Sequence, residues 1–427
     1  MIYFRWFGFI IFAAFSPVLL VSKAQCDDSI GKGEVLSLDR CINLALKHQP
    51  DILSAMGDVA AKKSRIGQAE SGYLPQINLA TGYSRYSPVS QITDRAFDDY
   101  SGGLSLTQNI YDFGKTSTQV KISRLNLASS SLDLRWIKSQ VIFNVRQAYF
   151  AALKAKRNLK VAQDTIGQFE LHLKQAEGFY EVGTRPKFDV TKAQVDLSNA
   201  RLNLIKAKNT MRLALAGLNN AMGMTTLEGY ELEDNLQFIP VKIGFDEALK
   251  KAYDARPDLR SMLIQKNAAQ ASIELAKKGY YPSVAGNASY NMGGASFPLE
   301  DGWSVGVNVT FPVFSGFLTK YQVEEAGANL SSIAAKEMAL KNTVFLDVKQ
   351  SYLNLKEAEE QVPVAELAVK QAEENFEIAT GRYNVGVGSP IEVTDAEVAL
   401  ESAKLAHIQA LYDYKVAFAG LEKAMGE

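Results

Sequence analysis

Cysteine and histidine are scarce in this chain of 427 residues, which has two of the first and three of the second. A disulfide-rich scaffold or a zinc finger needs several such residues at close spacing, so both classes are excluded. Cys26 and Cys41 either pair in an oxidising compartment or remain two separate thiols. The histidines, His48, His172 and His407, lie far apart, and none has a Cys, His or carboxylate at metal-ligand spacing.

Long apolar runs are also rare, and the one at the N-terminus has the features of an export signal. Arg5 precedes an apolar stretch from Trp6 to Val21, and small residues flank a cleavage site after Ala24. We therefore predict a signal peptide over residues 1–24. The alternative, a membrane anchor, is disfavoured because the run is shorter than the ~20 residues that a spanning helix needs. No later run is long enough for such a helix, so a membrane-spanning part of the mature chain must consist of strands.

An excess of positive charge is missing as well. Lys and Arg number 46 and Asp and Glu number 47, and the net charge is −1. Nucleic-acid binding needs a net basic face, so no nucleic-acid partner is expected. The Gly293-Gly294 pair falls in a predicted hairpin loop and not in a phosphate-binding loop, and His407 falls on a helix seam where a packed histidine is favoured over a ligand. The sequence shows no catalytic constellation, so we expect no enzyme and no cofactor.

The chain does contain an internal duplication. Several short motifs recur in the same order and at nearly the same spacing: Pro50-Asp51 and Pro75 as Pro257-Asp258 and Pro282, Val145, Gln147 and Tyr149 as Val348, Gln350 and Tyr352, and Ala-Met-Gly at 221–223 and at 424–426. A repeat of this kind indicates one structural unit present twice. We predict structural repeat 1 over residues 25–223, a linker over 224–240 and structural repeat 2 over 241–427.

Each repeat contains a segment that alternates like a β-strand. Between Trp303 and Phe311, the residues Val305, Val307 and Val309 share one face, and polar or small residues occupy the other. The matching segment of the first repeat alternates more weakly. These patterns predict β-hairpins over 76–110 and 283–311, with strands of about 9 to 11 residues, the length that spans a bilayer when tilted.

Both hairpins are followed by the longest helical patterns in the chain, predicted over 115–181 and 318–384. At ~1.5 Å per residue such a helix would extend roughly 100 Å, more than a compact domain needs. Return helices are predicted over 190–222 and 391–425, where apolar residues recur at alternating spacings of three and four, as in a coiled-coil seam.

The return helices are only about half as long as the helices they would pack against. Helices predicted over 39–72 and 246–279 supply the missing half, if they stack end to end with the return helices and the linker lies at the joint. Asp39 and Asp246 are the candidate N-caps of these helices.

Four exported strands do not suffice for a membrane-spanning structure, because open edges leave unpaired backbone groups in hydrocarbon. Bacterial barrels have at least eight strands. Three chains with twelve strands are the preferred assembly, and two chains with eight are the alternative. The predicted fold is mainly α, a duplicated unit whose long coiled-coil helices form a periplasmic α-barrel and whose four strands contribute to a 12-stranded trimeric outer-membrane β-barrel.

These motifs together resemble the outer-membrane efflux proteins, the TolC-like trimeric channel-tunnels. The resemblance runs from about Ser37 to Glu427 and rests on the duplicated Pro-Asp pattern, on Leu74-Pro75 and Tyr281-Pro282 before the strands, and on Tyr-x-Val-Gly at the two turns. It implies a homotrimer in the outer membrane, in contact with its lipid and extending into the periplasm. A periplasmic adaptor protein and an inner-membrane pump would dock at its lower end.

The function implied by the resemblance is the exit duct of a tripartite efflux or type I secretion system, a passive channel gated at its periplasmic end. The residues alone leave an alternative of another class, a periplasmic or surface coiled-coil scaffold without a pore. That alternative does not explain two hairpins of bilayer length.

The resemblance also assigns candidate residues to the second turn. In the family, acidic residues one helical turn apart line the narrowest constriction, and these fall here on Glu392 and Asp395. Tyr383 matches the tyrosine that ties the helices shut. The matching arginine position holds Gly388. The structural alternative for the two acids is a solvated first turn that complements the helix dipole.

The first turn differs from the second. Its candidate residues are Tyr180, Arg185, Asp189 and Lys192, and only this copy has the arginine. Gly183 and Gly386 suit helix C-termini that need a positive φ, and in the family this turn receives the helical hairpin of the adaptor.

Overall fold

The computed structural model describes residues 33–87, 96–224 and 229–427, so the predicted signal peptide and Cys26 lie outside the described residues. The helices and strands follow one another in the order β1 (Val35–Leu36), α1 (Leu38–His48), α2 (Pro50–Glu70), β2 (Gln76–Tyr86), β3 (Phe97–Tyr111), α3 (Lys115–Glu181), α4 (Lys187–Ala221), β4 (Glu231–Leu232), α5 (Phe245–Ala255), α6 (Pro257–Lys277), β5 (Ser283–Gly294), β6 (Glu300–Thr310), α7 (Leu318–Asn384) and α8 (Pro390–Met425).

The first helix of each repeat begins and breaks for local reasons. The side chain of Ser37 accepts a hydrogen bond from the backbone N–H of Arg40, so Ser37 is the N-cap of α1 and the predicted cap Asp39 lies in the first turn. The corresponding position before α5 is Gly244, not Asp246. Proline cannot continue a helix but fits the first turn of a new one, so α2 and α6 both start at a proline.

The long helices α3 and α7 contain 67 residues each, over the predicted ranges. The start of α3 is fixed by Asp112, whose carboxylate accepts from the backbone N–H groups of Gly114, Lys115 and Thr116 at 2.7 to 3.1 Å. Each long helix packs along the return helix of its own repeat, α4 or α8, and α3 also contacts α2, α6 and α8. The helices therefore form one continuous layered wall.

The shorter helices are stacked end to end within each repeat. The end of α4 meets the break between α1 and α2, and the end of α8 meets the break between α5 and α6. A Cβ added to Gly223 would lie 2.7 Å from the carbonyl oxygen of His48, and one added to Gly426 would lie 2.8 Å from the Cα of Arg256. Only glycine permits this close approach, which explains the duplicated Ala-Met-Gly ends.

The described part of the linker comprises residue 224 and residues 229–240. It forms β4, which pairs in parallel with β1, a contact that the sequence pattern did not predict. The hydroxyl of Tyr149 donates to the carbonyl oxygens of Leu36 at 3.1 Å and of Glu233 at 2.8 Å. The largest buried cluster of the protein includes Tyr149 and residues of both short strands, and it also contains Cys41. Burial raises the pKa of the Cys41 thiol to about 12.

The two hairpins join into one antiparallel sheet of order β2-β3-β5-β6, in which β3 and β5 link the two repeats. Its edges are β2 and β6. All 11 residues of β6 are exposed on the single chain, and the apolar row includes Trp303 at 77% and Val305 at 74%. Within the described ranges, the chain has no helix whose length and apolar character together suffice to cross a membrane.

Candidate functional site

The two turns at the far ends of the long helices have the same backbone design. Gly183 and Gly386 have φ values of +74° and +82°, a left-handed conformation that favours glycine. Their N–H groups donate to the carbonyl oxygens of Tyr180 and Tyr383 at 2.9 and 3.0 Å. These bonds close each helix C-terminus and allow the chain to reverse into α4 or α8.

Arg185 of the first turn connects it to the second turn. Its Nη2 donates to the carbonyl oxygens of Gly388 at 2.8 Å and of Gly386 at 3.3 Å. The guanidinium also lies 5.3 Å from the ring centre of Tyr383. A Cβ on Gly388 would lie only 2.8 Å from the backbone nitrogen of Tyr383, so the tightly folded second turn has no room for an arginine of its own.

Tyr383 is fully buried between the ends of α3 and α7. Its ring packs 5.0 Å from that of His172 and edge-to-face on Phe179 at 5.6 Å. Its hydroxyl has no hydrogen-bond partner, and burial, with the nearby Asp189 carboxylate, raises its pKa. Tyr180, the counterpart in the first turn, is 46% exposed. Of the two turn tyrosines, Tyr383 alone is packed between the helices, and its role in holding them shut stays a prediction.

The acidic and basic residues of the first repeat point into the helical layer. Lys192 Nζ lies 2.6 and 2.7 Å from the two carboxylate oxygens of Asp196. The hydroxyl of Thr394 on α8 donates to the same carboxylate at 3.0 Å. Asp189 is 4% exposed, and its Oδ2 has no partner. This cluster joins α4 to α8 above the turns.

The sequence analysis missed Asp196, Thr394 and two further buried groups, His172 and Glu397. Asp196 directly precedes Leu197 on the α4 seam, but the sequence pattern does not distinguish a buried carboxylate beside a seam from an exposed one.

Glu392 and Asp395, the predicted gate residues, are not part of the cluster around Lys192 and Asp196. Both are exposed on this chain. Glu392 Oε2 lies 3.4 Å from Nε of Arg382 in an ion pair whose side chains are about half exposed. The structure thus does not bring them together with Arg185, Asp189 or Lys192.

The duplicated helices and strands match one known family. The family model for outer membrane efflux proteins matches the chain twice, over residues 41–224 and 248–427, once for each repeat. The chain belongs to this family. Its resemblance to the TolC-like proteins, its fold class and its outer-membrane location are therefore confirmed.

Individual relatives of the efflux protein are distant but cover nearly its whole length. The outer membrane protein TolC of Vibrio cholerae is 25% identical over 401 residues, which are 91% of this chain and 90% of the relative. The pyoverdine export outer membrane protein OpmQ of Pseudomonas aeruginosa is 22% identical and covers 91% of this chain and 85% of its own.

Solved structures share the fold. The CmeC outer membrane channel of Campylobacter jejuni superposes with a TM-score of 0.79 at 20% identity, over 91% of this chain and 85% of that one. The open state of the MtrE outer membrane channel of Neisseria gonorrhoeae superposes with a TM-score of 0.77 at 19% identity, over 91% and 88%. The family consists of efflux ducts and not of enzymes.

Proposed function

We propose that this efflux protein is the passive exit duct of a tripartite efflux or type I secretion system, gated where its two turns meet. The observation that carries the gate is the Arg185 contact to the backbone of Gly386 and Gly388, because it fastens the ends of both long helices to each other. A duct needs such a fastening only at an end that opens and closes.

The assembly that we propose is a homotrimer. The four-stranded sheet has two unpaired edges, β2 and β6, and exposes an apolar row on β6. Three copies would pair these edges into twelve strands, bury the backbone groups and turn the apolar row to outer-membrane lipid. The repeats over 25–223 and 241–427, joined by the linker 224–240, would then form the periplasmic wall.

The assembly separates this proposal from the scaffold alternative. Outer membranes extracted in detergent should contain the protein as a heat-resistant trimer on a denaturing gel. Recovery as a soluble monomer would refute the duct.

We assign the ionic part of the gate to Glu392 and Asp395. Both side chains are exposed on one face of the first turns of α8, and threefold symmetry would repeat them around the axis. Replacing both with alanine should raise single-channel conductance and weaken cation selectivity in planar bilayers. Replacement of Glu374 and Glu377, exposed acids spaced equally on α7, is the matched control. Unchanged conductance and selectivity in the double alanine variant would remove the pair from the gate.

We assign docking of the periplasmic adaptor, and through it of the inner-membrane pump, to the turns around Gly183 and Gly386. Each turn exposes an apolar residue beside its glycine, Val182 at 71% and Val385 at 75%, which offers a contact for an apolar helix end. Bulky charged replacements at the two glycines should abolish efflux while the yield of trimer stays unchanged. Retained efflux would contradict the assignment.

A further inference from the structure

A cavity of about 120 Å³ lies in the helical layer, above the second turn, and opens to the surface beside Gln168 and Leu171. Its lining comes from α3, α7 and α8, with His172, Thr380 and Glu397 as the polar groups that concern us. His172 is 6% exposed and Glu397 is 4% exposed. The cavity has room for several water molecules, so its polar groups do not have to touch one another.

Three polar atoms at this cavity are buried without a hydrogen-bond partner. They are Nδ1 of His172, Oγ1 of Thr380 and Oε2 of Glu397. Leaving such atoms unsatisfied is costly, and a buried carboxylate without a cation is especially so. Unpaired acceptor atoms on two helices, His172 on α3 and Glu397 on α8, face the same cavity. Such an arrangement favours a small positively charged ligand.

A metal ion does not fit well. Among the residues that the structure describes, no group of three or more His, Cys, Asp or Glu side chains is placed to hold one. The cavity offers a single imidazole and a single carboxylate. A proton needs only one lone pair, so either Nδ1 of His172 or Oε2 of Glu397 can hold it.

We propose that this cavity is a proton-binding site in which His172 and Glu397 exchange one proton, so that the tip stays packed as the pH changes. The consequence for gating rests on the proposed function. The binding of the proton does not.

Glu397 favours the packed state when it is protonated. Burial raises its pKa from 4.5 to about 7, Lys404 on α8 opposes this, and Glu401 adds to it. If the cavity opened to water, the pKa would return toward 4.5. The packed state therefore binds the proton more tightly, and its advantage is full below pH 4.5 and is lost as the pH rises to about 7.

His172 favours the packed state when it is neutral. Burial lowers its pKa from 6.5, Asp196 and Asp189 on α4 oppose this, and Lys192 adds to it. Here the packed state binds the proton less tightly than the opened state. Its advantage is full above pH 6.5 and is lost as the pH falls through the lowered pKa.

The stability of the packed state thus depends on pH with opposite sign through Glu397 and through His172. The two effects offset each other over the pH range in which both groups titrate. Tyr383 on α7 packs on His172 and is covered by Arg185, and its raised pKa keeps it neutral at these pH values. Lys404 is itself paired with Glu373 at 3.4 Å. Burial also raises the pKa of Glu401 on α8, so Glu401 adds to the dependence of Glu397. The offset therefore sets His172 against Glu397, with Glu401 on the side of Glu397.

Single substitutions separate the two halves of the pair. We define the tip as residues 165–200 and 376–400, which include both turns and the helix ends beside them. Amide hydrogen exchange over these residues reports how often the tip opens. It is measured on the full chain in detergent micelles and corrected for intrinsic exchange rates. In His172→Gln, opening should increase as the pH rises from 4.5 to about 7, by on the order of 100-fold. In Glu397→Gln, opening should instead increase as the pH falls below 6.5.

The wild type should depend on pH less steeply than either single variant, and the double variant should keep only the dependence that Glu401 contributes. His407→Gln, on the α8 seam, and Glu377→Gln, exposed on α7, are the controls and should reproduce the wild type. Single variants with the pH profile of the wild type would overturn the proposal. If the glutamine variants do not assemble, His172→Asn and Glu397→Leu provide the same comparison.

Single-channel conductance over the same pH range tests the gate separately. If exchange follows the expected profiles and conductance follows them too, the cavity regulates the gate. If exchange follows them while conductance stays constant, the proton site stands and the proposed gate at this tip is refuted.

Discussion

At the scale of single residues, Arg185 is the side chain through which the two repeats differ most. Its guanidinium donates to two carbonyl oxygens of the second turn and lies over the face of the Tyr383 ring. Hydrogen bonds from a charged donor contribute about 1.5–3 kcal/mol, whereas an exposed ion pair such as Arg382 with Glu392 contributes about 0–1 kcal/mol. In the proposed gate, Arg185 should therefore hold the two turns together more strongly than Arg382 does.

We expect Arg185→Ala to increase the mean single-channel conductance in planar bilayers, because the ends of α3 and α7 would separate more easily. Arg185→Lys should restore only part of the contact, because a lysine ammonium can replace the single nitrogen Nη2 that reaches both carbonyl oxygens but has no planar face to lay over Tyr383. Arg382→Ala is the control and should change the conductance much less. Equal effects of Arg185→Ala and Arg382→Ala would show that the contact does not hold the tip closed.

These residue-level contacts lay largely beyond sequence reasoning. Aligning the repeats showed that Gly388 replaces an arginine, but it did not show that Arg185 crosses over to the second turn. His172 and Glu397 gave no periodic signal, because a buried polar residue adjoining an apolar seam looks like any other exposed one. The gate assignment of Glu392 and Asp395 stays a prediction.

At the scale of helices and strands, glycine at the joints determines how the short helices stack. Gly223 has a φ of +73° and lies against the carbonyl group of His48. Gly217, two turns earlier in α4, is helical, and a Cβ added there would have nothing within 4 Å. The glycine just after the end of α4 is therefore required, and the glycine within α4 is not.

We expect Gly223→Ala to destabilise the protein by about 1–3 kcal/mol, through the unfavourable φ and the clash with His48. Gly217→Ala should stabilise it by about 0.5–1 kcal/mol, because alanine is the better helix former. Thermal unfolding followed by the circular dichroism of the helices would measure both. A lowered midpoint for Gly217→Ala, or an unchanged one for Gly223→Ala, would contradict this account of the joint.

The helices and strands were the most predictable level. Unbroken helix-forming sequence between Gly114 and Gly183 left few alternatives for α3, and strict alternation left few for β6. The pairing of β1 with β4 was missed because two-residue strands have no period, and their partner lies nearly 200 residues away. The N-caps were misplaced by two residues, because Ser37 and Gly244 compete with an acid in the first turn.

At the scale of the whole molecule, the two faces of β6 require different surroundings. Val307 is 68% exposed on the chain alone and belongs to the row that we assign to lipid. Its neighbour Asn308 is on the opposite face. A charge should therefore be tolerated at one of these adjacent positions and not at the other.

We expect Val307→Arg to reduce the fraction of heat-resistant trimer in outer-membrane extracts, because arginine on a lipid face near the bilayer midplane costs about 2–4 kcal/mol. Asn308→Arg should leave that fraction close to the wild-type value. Gel analysis of unheated and heated extracts would measure it. Similar losses in both variants would argue that neither face of β6 contacts lipid.

The contact from Arg185 to the second turn has a direction, since Gly388 returns no equivalent contact to the first turn. In a ring of three chains, the contact would hold the two tips of each chain together only while the aperture is shut. Opening would break it once in each chain and let all six helical tips part. We would expect the aperture to work as an iris with six leaves that are locked in three pairs when it is closed.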